Sequence, residues 1–410
     1  MGFKKQALER ELEHLMTVNH PNIIRLYEVY EDSNYIHLVM ELCTGGELFE
    51  NLVKTGRFSE SKAAMVMHCL LHAVSHLHSL NISHRDLKPE NIMLSTDDDH
   101  AEIKIIDLGL AKKFYEEEGR HTILGSSYYV APEVLEGKYG LGCDIWSCGV
   151  ILYMILSGKA PFDGKDDKEV IESIRKKTYS LEGPIWDKFS VECKDFIRLL
   201  LDIDPKTRVS AQKALENPWL EVRRGNKLPK IKRSVMMRLK NHINYNKIVK
   251  ETMNILIHTL NQAEIKKLNF LFKELDLDKT GFITVSELKE GLNRAKVHLE
   301  GQELEKLFDE VDRKGKINYS EFLAMTINRK HLDNIDGLWL AFKYFDIDNT
   351  GYITNSNLTE ALKKAGWNVS TEEVDQMLTE CGLEQIDKLY FAQFCKIFKV
   401  GLRKRSNSLN

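Results

Sequence analysis

The pattern of apolar positions along the chain changes near residue 220. Before that point, helical patterns mix with short alternating segments such as IIRLYEVYE and YIHLVMEL, whose β-branched and aromatic residues favour strands. After it, helical periodicity continues to the end, broken by short Asp/Gly loops. The pattern predicts a domain of mixed helix and strand followed by an all-helical region.

The first predicted helix contains a charge on its apolar face. In the stretch QALERELEHL, a helical period brings Ala7, Leu8, Leu12 and Leu15 to one side, and Glu11 lies among them. A carboxylate directed toward a core is costly unless it is paired. We therefore expect Glu11 to have a cationic partner in a complete fold.

The helical second half repeats itself. The phrases ELDLDKTGFIT and YFDIDNTGYIT lie about 70 residues apart and are near copies, which indicates duplicated units. Before them runs a basic stretch, EVRRGNKLPKIKRSVMMRLKNH, followed by apolar positions at helical spacing at Val249, Met253, Leu256 and Leu260. This stretch separates the two regions.

Composition argues for an ordinary soluble protein. The 410 residues include 58 Lys and Arg against 61 Asp and Glu, so no global charge favours nucleic acid as a partner. Hydrophobic content of 43% and charged content of 29% are typical of globular chains. The length suffices for two or three domains.

Localisation signals favour the cytoplasm. The seven cysteines are an odd number without a Cys-x-x-Cys pair, which fits reduced thiols. The longest apolar run, 146–156, is too short to span a membrane, so we expect no transmembrane segment. No secretory leader is evident, and Gln6 stands where an N-myristoylation signal needs Ser or Thr. Membrane targeting through a preceding segment stays open.

The most specific chemical signal lies in the first half. SHRDLKPENIML at 83–94 is followed by IKIIDLGLAKK at 103–113 and YYVAPEVL at 128–135. An isolated Asp near a Lys and an Asn is common in polar loops, but here the spacing is diagnostic. His-Arg-Asp, Asn five residues after the Asp, Asp-x-Gly about 16 residues further and then Ala-Pro-Glu form the protein-kinase signature.

Residues 1–220 thus resemble a eukaryotic protein kinase domain from its αC helix onward, an α+β fold with an incomplete small lobe. The resemblance implies that Asp86 accepts the substrate hydroxyl proton, that Lys88 lies beside the transferred phosphate, and that Asn91 and Asp107 hold Mg²⁺ with ATP. A Lys two residues after the catalytic Asp is typical of Ser/Thr kinases.

The resemblance also implies nucleotide and substrate contacts. ATP would contact Glu11, Glu41, Cys43 and Glu47. The substrate platform would include Ser126, Glu90 and an ion pair of Glu133 with Arg208, while Asp144 would anchor the catalytic loop. Glu47 and Glu90 match positions that receive basic side chains upstream of the target, which favours basic substrates, although two ordinary surface glutamates would look the same.

The partner of Glu11 is not in this sequence. In kinases this glutamate pairs with a Lys on strand three of the small lobe, and only ten residues precede Glu11. The Gly-rich loop is missing as well. Either this sequence begins too late or the protein lost its nucleotide clamp. We favour the first reading, because the catalytic-loop residues are intact, and we expect weak or no activity from this exact chain.

One loop of the second half fits the EF-hand calcium pattern at every liganding position. The loop DLDKTGFITVSE, 276–287, has the required Gly281 for the sharp turn and Glu287 at its end. The expected ligands are Asp276, Asp278, Thr280, Phe282 through its carbonyl, Thr284 and Glu287.

Three further loops are degenerate to different degrees. The loop 312–321 has lost two residues and should not bind calcium, but its Ile317 can pair with Ile283. The loop 382–393 lacks acids at its ends and should serve through Leu389 and Ile353 as a structural partner. The loop 346–357 should bind weakly; its expected ligands are Asp346, Asp348, Thr350, Tyr352, Thr354 and Asn357.

The order of kinase-like domain, basic junction and four EF-hands resembles the calcium-dependent protein kinases of plants and alveolate protists. The resemblance divides the chain into a kinase domain at 1–220, an autoinhibitory junction at 221–260, a calmodulin-like domain at 261–400 and a flexible tail at 401–410. It implies that calcium opens the hands, which then capture the junction helix. Within the junction, KIKRS at 230–234 could mimic a substrate or be phosphorylated at Ser234, or be a plain basic linker.

The sequence alone leaves two functions open. The first is a calcium-regulated kinase that transfers the γ-phosphate of ATP to Ser/Thr of proteins. The alternative is a non-catalytic, calcium-responsive pseudokinase scaffold, favoured by the missing Gly-rich loop and strand-three Lys. A calmodulin-like calcium buffer is a weaker third reading, because a single good site makes a poor buffer.

Overall fold

The computed structural model describes residues 12–97, 101–113, 127–137, 140–223, 232–297, 303, 315–383 and 387–403. The chain divides into two compact units, the first comprising residues 1–229 with 276–282 and the second comprising 230–275 with 283–410. Each unit has its own hydrophobic core. The predicted fold class, an α+β protein kinase domain followed by an all-α EF-hand region, is confirmed.

The first unit contains short antiparallel strand pairs and a mainly helical body. Its strands are β1 Leu26–Glu31, β2 Ile36–Met40, β3 Ile82–Ser83, β4 Ile92–Leu94, β5 Ile103–Ile105 and β6 Lys112–Lys113. β1 pairs with β2, β3 with β6 and β4 with β5. Its helices are α1 Leu48–Thr55, α2 Glu60–Ser79, α3 Gly142–Ser157, α4 Asp167–Lys176, α5 Val191–Leu200, α6 Ala211–Leu215 and α7 Pro218–Arg223.

Two long helices organise the core of the first unit. Helix α2 begins after Ser59, whose hydroxyl accepts a hydrogen bond from the Lys62 N–H and so caps the helix. Helix α3 is buried along almost its whole length, and its Trp146 stacks on Phe162. The catalytic-loop residues 84–91 lie between β3 and β4 in the chain. Strands of the first unit therefore hold both ends of the loop.

In its described residues, the second unit is helical apart from one short strand pair. Its elements are α8 Arg233–His242, α9 Lys247–Leu256, α10 Gln262–Leu275, β7 Ile283–Thr284, α11 Val285–Arg294, β8 Lys316–Ile317, α12 Tyr319–Thr326, α13 Ile335–Phe345, α14 Asn355–Lys364, α15 Thr371–Glu380 and α16 Phe391–Arg403. Capping boxes begin α11, α12, α14 and α15. In the part of the chain that the structure describes, none of the helices has the length and apolar content needed to cross a bilayer.

Candidate functional site

The catalytic-loop side chains converge on one carboxylate. Lys88 Nζ donates to Asp86 Oδ2 at 2.8 Å. Asn91 Nδ2 donates both to the Asp86 carbonyl oxygen at 2.9 Å and to Oδ2 at 3.2 Å. The pKa of Lys88 is raised, chiefly by its hydrogen bond to Asp86, so the ammonium stays charged. The arrangement presents an anchored carboxylate beside a fixed positive charge.

A buried aspartate holds the start of this loop. Asp144, on α3, is fully buried and accepts hydrogen bonds from the backbone N–H groups of His84 and Arg85, both at 2.9 Å. It also accepts from the Ser83 hydroxyl at 3.0 Å and contacts His78 Nε2 at 2.9 Å. Burial alone raises the pKa of Asp144, but the hydrogen bond from His78 and the other partners hold it below its usual value. The carboxylate therefore stays ionised and fixes the loop.

The backbone at Arg85 has the left-handed conformation, with φ of 68°. A side chain in this region is strained and needs external support. Support comes from the Asp144 bond to its N–H and from its own Nε, which donates to the Leu110 carbonyl at 2.6 Å.

Asp107 and Asn91 have oxygens that suit Mg²⁺. Asp107 Oδ1 accepts the Gly109 N–H at 2.7 Å, which orients the carboxylate. The amide nitrogen of Asn91 is engaged by Asp86, so its oxygen is the atom left to bind a cation. A carboxylate and an amide oxygen are ligands that Mg²⁺ prefers, so the donor set fits this ion.

The four residues assigned to ATP differ from one another in their surroundings. The Glu41 carboxylate lies 2.6 Å from Lys104 Nζ, so its side chain is engaged in an ion pair. Burial first, and then the Glu41 charge, raises the pKa of the Cys43 thiol to about 11, so the thiol stays protonated. Glu47 directly precedes α1. Glu11 lies outside the described residues.

The substrate platform contains the ion pair expected from the sequence. Arg208 Nη1 and Nη2 donate to Glu133 Oε1 and Oε2 at 2.5 and 2.9 Å, and the Arg208 side chain is fully buried. Glu90 has a buried Oε2 without a hydrogen-bond partner among the described residues. Ser126 lies outside them.

The first calcium loop brings its acids together. Carboxylate oxygens of Asp276, Asp278 and Glu287 lie within 4.8 Å of one another, a separation that suits a shared metal ion. Asp276 is 1% exposed, and its two oxygens accept the N–H groups of Thr280 at 3.0 Å and Gly281 at 2.9 Å. The φ of 77° at Gly281 is a value that favours glycine. Hard oxygen ligands at this spacing fit Ca²⁺.

The end of that loop is tied to helix α11. Glu287 Oε2 accepts hydrogen bonds from the Thr284 N–H at 2.8 Å and the Thr284 hydroxyl at 2.7 Å. Thr284 is the N-cap of α11, so the last calcium ligand belongs to a capping box. Phe282 precedes β7 and is partly buried.

The loop 346–357 has a similar frame with a different closing residue. Asp346 accepts the N–H groups of Thr350 and Gly351 at 3.0 and 2.8 Å, as Asp276 does in the first loop. Asn357 Oδ1 accepts from Thr354, but its Nδ2 donates to Asp348 Oδ2 at 2.9 Å. A hydrogen-bond donor thus points at a ligand oxygen where a cation needs an acceptor. Tyr352 is partly buried.

The two remaining loops contribute strand pairing. Ile283 pairs with Ile317 in the β7–β8 ladder, and Ile353 forms a bridge with Leu389, so both predicted partnerships are confirmed. Residues 312–314 and 384–386 lie outside the described residues, so the front of each degenerate loop is not described.

Sequence reasoning missed several contacts of the site. His84 Nδ1 accepts the Asp86 N–H at 3.3 Å, and burial lowers the pKa of this imidazole, so it is neutral. The Glu41–Lys104 pair and the His78–Asp144 contact join residues 63 and 66 positions apart. The only available signal was that Lys104 and His78 fall in otherwise apolar stretches, which do not identify a partner.

Two family models match the chain. A protein kinase domain matches residues 2–220, and an EF-hand domain pair matches 265–327. The first covers more than half of the chain. The chain therefore contains a protein kinase domain followed by an EF-hand domain pair.

Relatives narrow the class further. The chain is 37% identical over 402 residues to calcium-dependent protein kinase 21 of Arabidopsis thaliana, covering 97% of this chain and 75% of that protein. It is 38% identical over 402 residues to calcium-dependent protein kinase 3 of Plasmodium berghei (strain Anka), covering 95% of this chain and 72% of that protein. This chain belongs to the calcium-dependent protein kinase family.

Proposed function

We propose that this chain is a calcium-regulated kinase that transfers the γ-phosphate of ATP to Ser or Thr side chains of proteins. The observation that carries the proposal is the convergence of Lys88 and Asn91 on the Asp86 carboxylate, with Asp107 of the Asp-x-Gly segment supplying a second oriented acid. Family membership supports the same reaction.

Each candidate catalytic residue has a separate role in phosphoryl transfer. Asp86 accepts the proton of the substrate hydroxyl and orients that oxygen toward the phosphate. Lys88 stabilises negative charge on the transferred group from beside Asp86. Asn91 and Asp107 would hold Mg²⁺, which when bound neutralises phosphate charge. Buried Asp144 and Arg208 keep the loop and the platform in place.

Substrates with basic side chains upstream of the target suit this surface. The Oε2 of Glu90 is buried and has no hydrogen-bond partner within the described part of the chain, which is a costly arrangement because a desolvated carboxylate oxygen has lost its water. A Lys or Arg of the substrate would satisfy it. Exchange of Glu90 for Gln should therefore weaken basic peptides more than neutral ones.

Calcium regulation is assigned chiefly to the loop 276–287. The acids gathered there fit Ca²⁺, whereas the loop 346–357 directs an amide donor inward. The junction, 221–260, contains α8 and α9 and would restrain the kinase at low calcium until the hands open. The seven cysteines, all within the described residues, form no disulfide bond, which supports a reducing, cytoplasmic location.

A phosphotransfer assay tests the proposal. The purified 410-residue chain is incubated with Mg²⁺, labelled ATP and a Ser peptide with upstream Arg, with calcium or with chelator. We expect weak incorporation that rises with calcium and disappears in Asp86→Asn. An equal signal in the wild type and Asp86→Asn would contradict kinase activity. Calcium-dependent capture of protein partners without phosphotransfer would support the scaffold instead.

A further inference from the structure

The front half of the calcium loop, residues 276–282, belongs to the first compact unit. Three consecutive backbone carbonyl groups in this segment, those of Asp278, Lys279 and Thr280, accept hydrogen bonds from side chains of that unit. Gln212, exposed on α6, donates its Nε2 to the Asp278 carbonyl oxygen at 2.7 Å. The loop backbone is therefore held by side chains that lie elsewhere in the sequence.

Helix α2 supplies the donors to the other two carbonyl groups. Ser75 Oγ donates to the Lys279 carbonyl oxygen at 2.6 Å, and Ser79 Oγ donates to the Thr280 carbonyl oxygen at 3.0 Å. The Nδ1 atom of His76 lies 2.9 Å from the same Thr280 oxygen. Residues three and four positions apart are neighbours on a helix, so these three donors form one continuous surface.

His76 is the buried centre of this surface. Its Nε2 accepts the Asn19 N–H at 3.4 Å, so the proton of the neutral ring lies on Nδ1 and is donated to Thr280. Burial lowers the pKa of His76 to about 4, which keeps the ring neutral. The ring also packs on Phe282, with 5.1 Å between the ring centroids. The surface thus offers hydrogen-bond donors without a positive charge that would repel a cation.

The close approach to α2 requires glycine at position 281. The φ of Gly281 is 77°, and a Cβ atom there would also clash with the His76 ring. Gly351, at the same position of the loop 346–357, has a φ of 82°, but a Cβ atom there would meet no atom within 4 Å. The two loops therefore share the same turn, and the contact with a histidine ring distinguishes the first.

The hydrogen bonds from α2 and α6 use carbonyl oxygens that are not among the expected calcium ligands. Those ligands are side-chain oxygens of Asp276, Asp278, Thr280, Thr284 and Glu287 and the carbonyl oxygen of Phe282. The backbone is held while the three carboxylates lie within 4.8 Å of one another. A loop already fixed in this arrangement does not have to be ordered when the ion binds, which favours tight binding.

We propose that the surface formed by Ser75, His76, Ser79 and Gln212 positions the calcium loop and raises its affinity for calcium. These four are positioning residues, because they hold the loop backbone and supply no ligand to the ion. The proposal rests on the calcium binding at 276–287 that is part of the proposed function. Because coupling is reciprocal, bound calcium in turn strengthens the attachment of the loop to this surface.

Hydrogen exchange tests the attachment without calcium and without a kinase readout. Amide exchange of residues 276–284 is followed by mass spectrometry in the full chain with a chelator present. The double variant Ser79→Ala/Gln212→Met removes two donors at exposed positions. We expect exchange at least about threefold faster than in the wild type, because the released loop is more populated. Lys213→Met, at the exposed position next to Gln212, should exchange like the wild type.

A steric variant gives a second test of the same contact. Gly281→Ala places a methyl group against the His76 ring, whereas Gly351→Ala introduces the same backbone strain in open space. Exchange at 276–284 should accelerate more in Gly281→Ala than exchange at 346–354 does in Gly351→Ala. Equal acceleration would mean that backbone strain alone acts, and would contradict the proposal.

Calcium titration calorimetry then measures affinity at the site that Glu287→Gln removes. Affinity in Ser79→Ala/Gln212→Met should fall at least about threefold, because only the fraction of chains with a positioned loop binds well. Lys213→Met should bind like the wild type. Calcium binding with equal affinity in all three proteins would overturn the positioning role and leave the calcium site standing. A wild-type chain that binds no calcium at this loop would instead contradict the proposed calcium regulation, and this proposal with it.

Discussion

Individual buried carboxylates fix much of the local geometry of the first unit. Asp144 and Glu133 are both buried, and each binds groups far away in the sequence. A buried charge is tolerated only where several donors replace its water. The Asp144 carboxylate thus positions several groups of the catalytic loop, and the Glu133 carboxylate positions Arg208.

Replacing Asp144 by Asn tests that dependence at the catalytic loop. The amide keeps the shape but turns an NH₂ group toward donors such as the His84 and Arg85 N–H groups. We expect a loss of about 3 kcal/mol in unfolding free energy, since hydrogen bonds to charged groups contribute about 1.5–3 kcal/mol each. Phosphotransfer should fall at least tenfold. The exposed Asp195→Asn serves as control, and equal behaviour of the two variants would contradict the assignment.

Replacing Glu133 by Gln tests the platform ion pair. It leaves the fully buried guanidinium of Arg208 without its countercharge, a change that costs about 3–5 kcal/mol in other buried pairs. Urea unfolding followed by tryptophan fluorescence reports it directly, because Arg208 lies over the Trp146 ring. Glu136→Gln, on the same turn and exposed, should unfold like the wild type. A loss below about 1 kcal/mol for Glu133→Gln would contradict a stabilising role for the pair.

At the scale of elements, short strands join the calcium loops in pairs. Ile283 and Ile317 are fully buried partners, although the loop that carries Ile317 is degenerate. A loop that is not expected to bind calcium thus still stabilises its neighbour by strand pairing. It supplies a strand to its neighbour, and its capping box of Asn318 and Glu321 begins its own helix α12.

Truncating Ile317 to Ala should therefore act on two quantities. The unfolding free energy of the second unit should fall by about 2–4 kcal/mol, the range for a large-to-small change in a core. Calcium affinity at the loop 276–287 should fall as well, because β7 loses its partner. Ile317→Val, which keeps the branched carbon, should cost about 0.5–1.5 kcal/mol. Unchanged calcium affinity in the Ala variant would show that the pairing does not support the loop.

The loop 346–357 offers the converse experiment. Asn357→Glu replaces the donor that faces Asp348 by a carboxylate and restores bidentate closure. We expect calcium affinity at this loop to rise at least tenfold, so that titration calorimetry counts one further strong site. Asn357→Gln has the length without the charge and should change little. If Glu and Gln behave alike, the closing residue is not what limits this loop.

Motif spacing predicts elements and ligand sets well where the chemistry is local. The residues 83–94 and 276–287 each supply several functional atoms within twelve positions, so their order alone identifies them. Contacts such as Glu41 with Lys104, or the packing around His242, join separate segments through the tertiary fold. The inward amide of Asn357 was equally hidden, because the sequence gives its identity but not its rotamer.

At the scale of the whole molecule, the residues proposed for phosphate transfer and those proposed for calcium binding lie in separate parts of the sequence. The residues proposed for phosphate transfer lie between 86 and 107, and the strongest calcium loop lies at 276–287. Each has its own scaffold of hydrogen bonds. Regulation of one by the other therefore requires a free-energy coupling between sites, which must act in both directions.

Exchanging Glu287 for Gln tests that coupling. The change removes the charge that joins Asp276 and Asp278 at the loop, while Gln still accepts the Thr284 hydrogen bonds of the capping box. Calcium affinity should fall at least tenfold, and calcium stimulation of peptide phosphorylation should disappear with basal activity unchanged, since Glu287 takes no part in phosphate transfer. Glu290→Gln, an exposed change on the same helix, is the control. If Glu287→Gln loses calcium affinity but keeps full calcium stimulation, the regulatory site lies elsewhere. Calcium can act through this loop only when it is bound there.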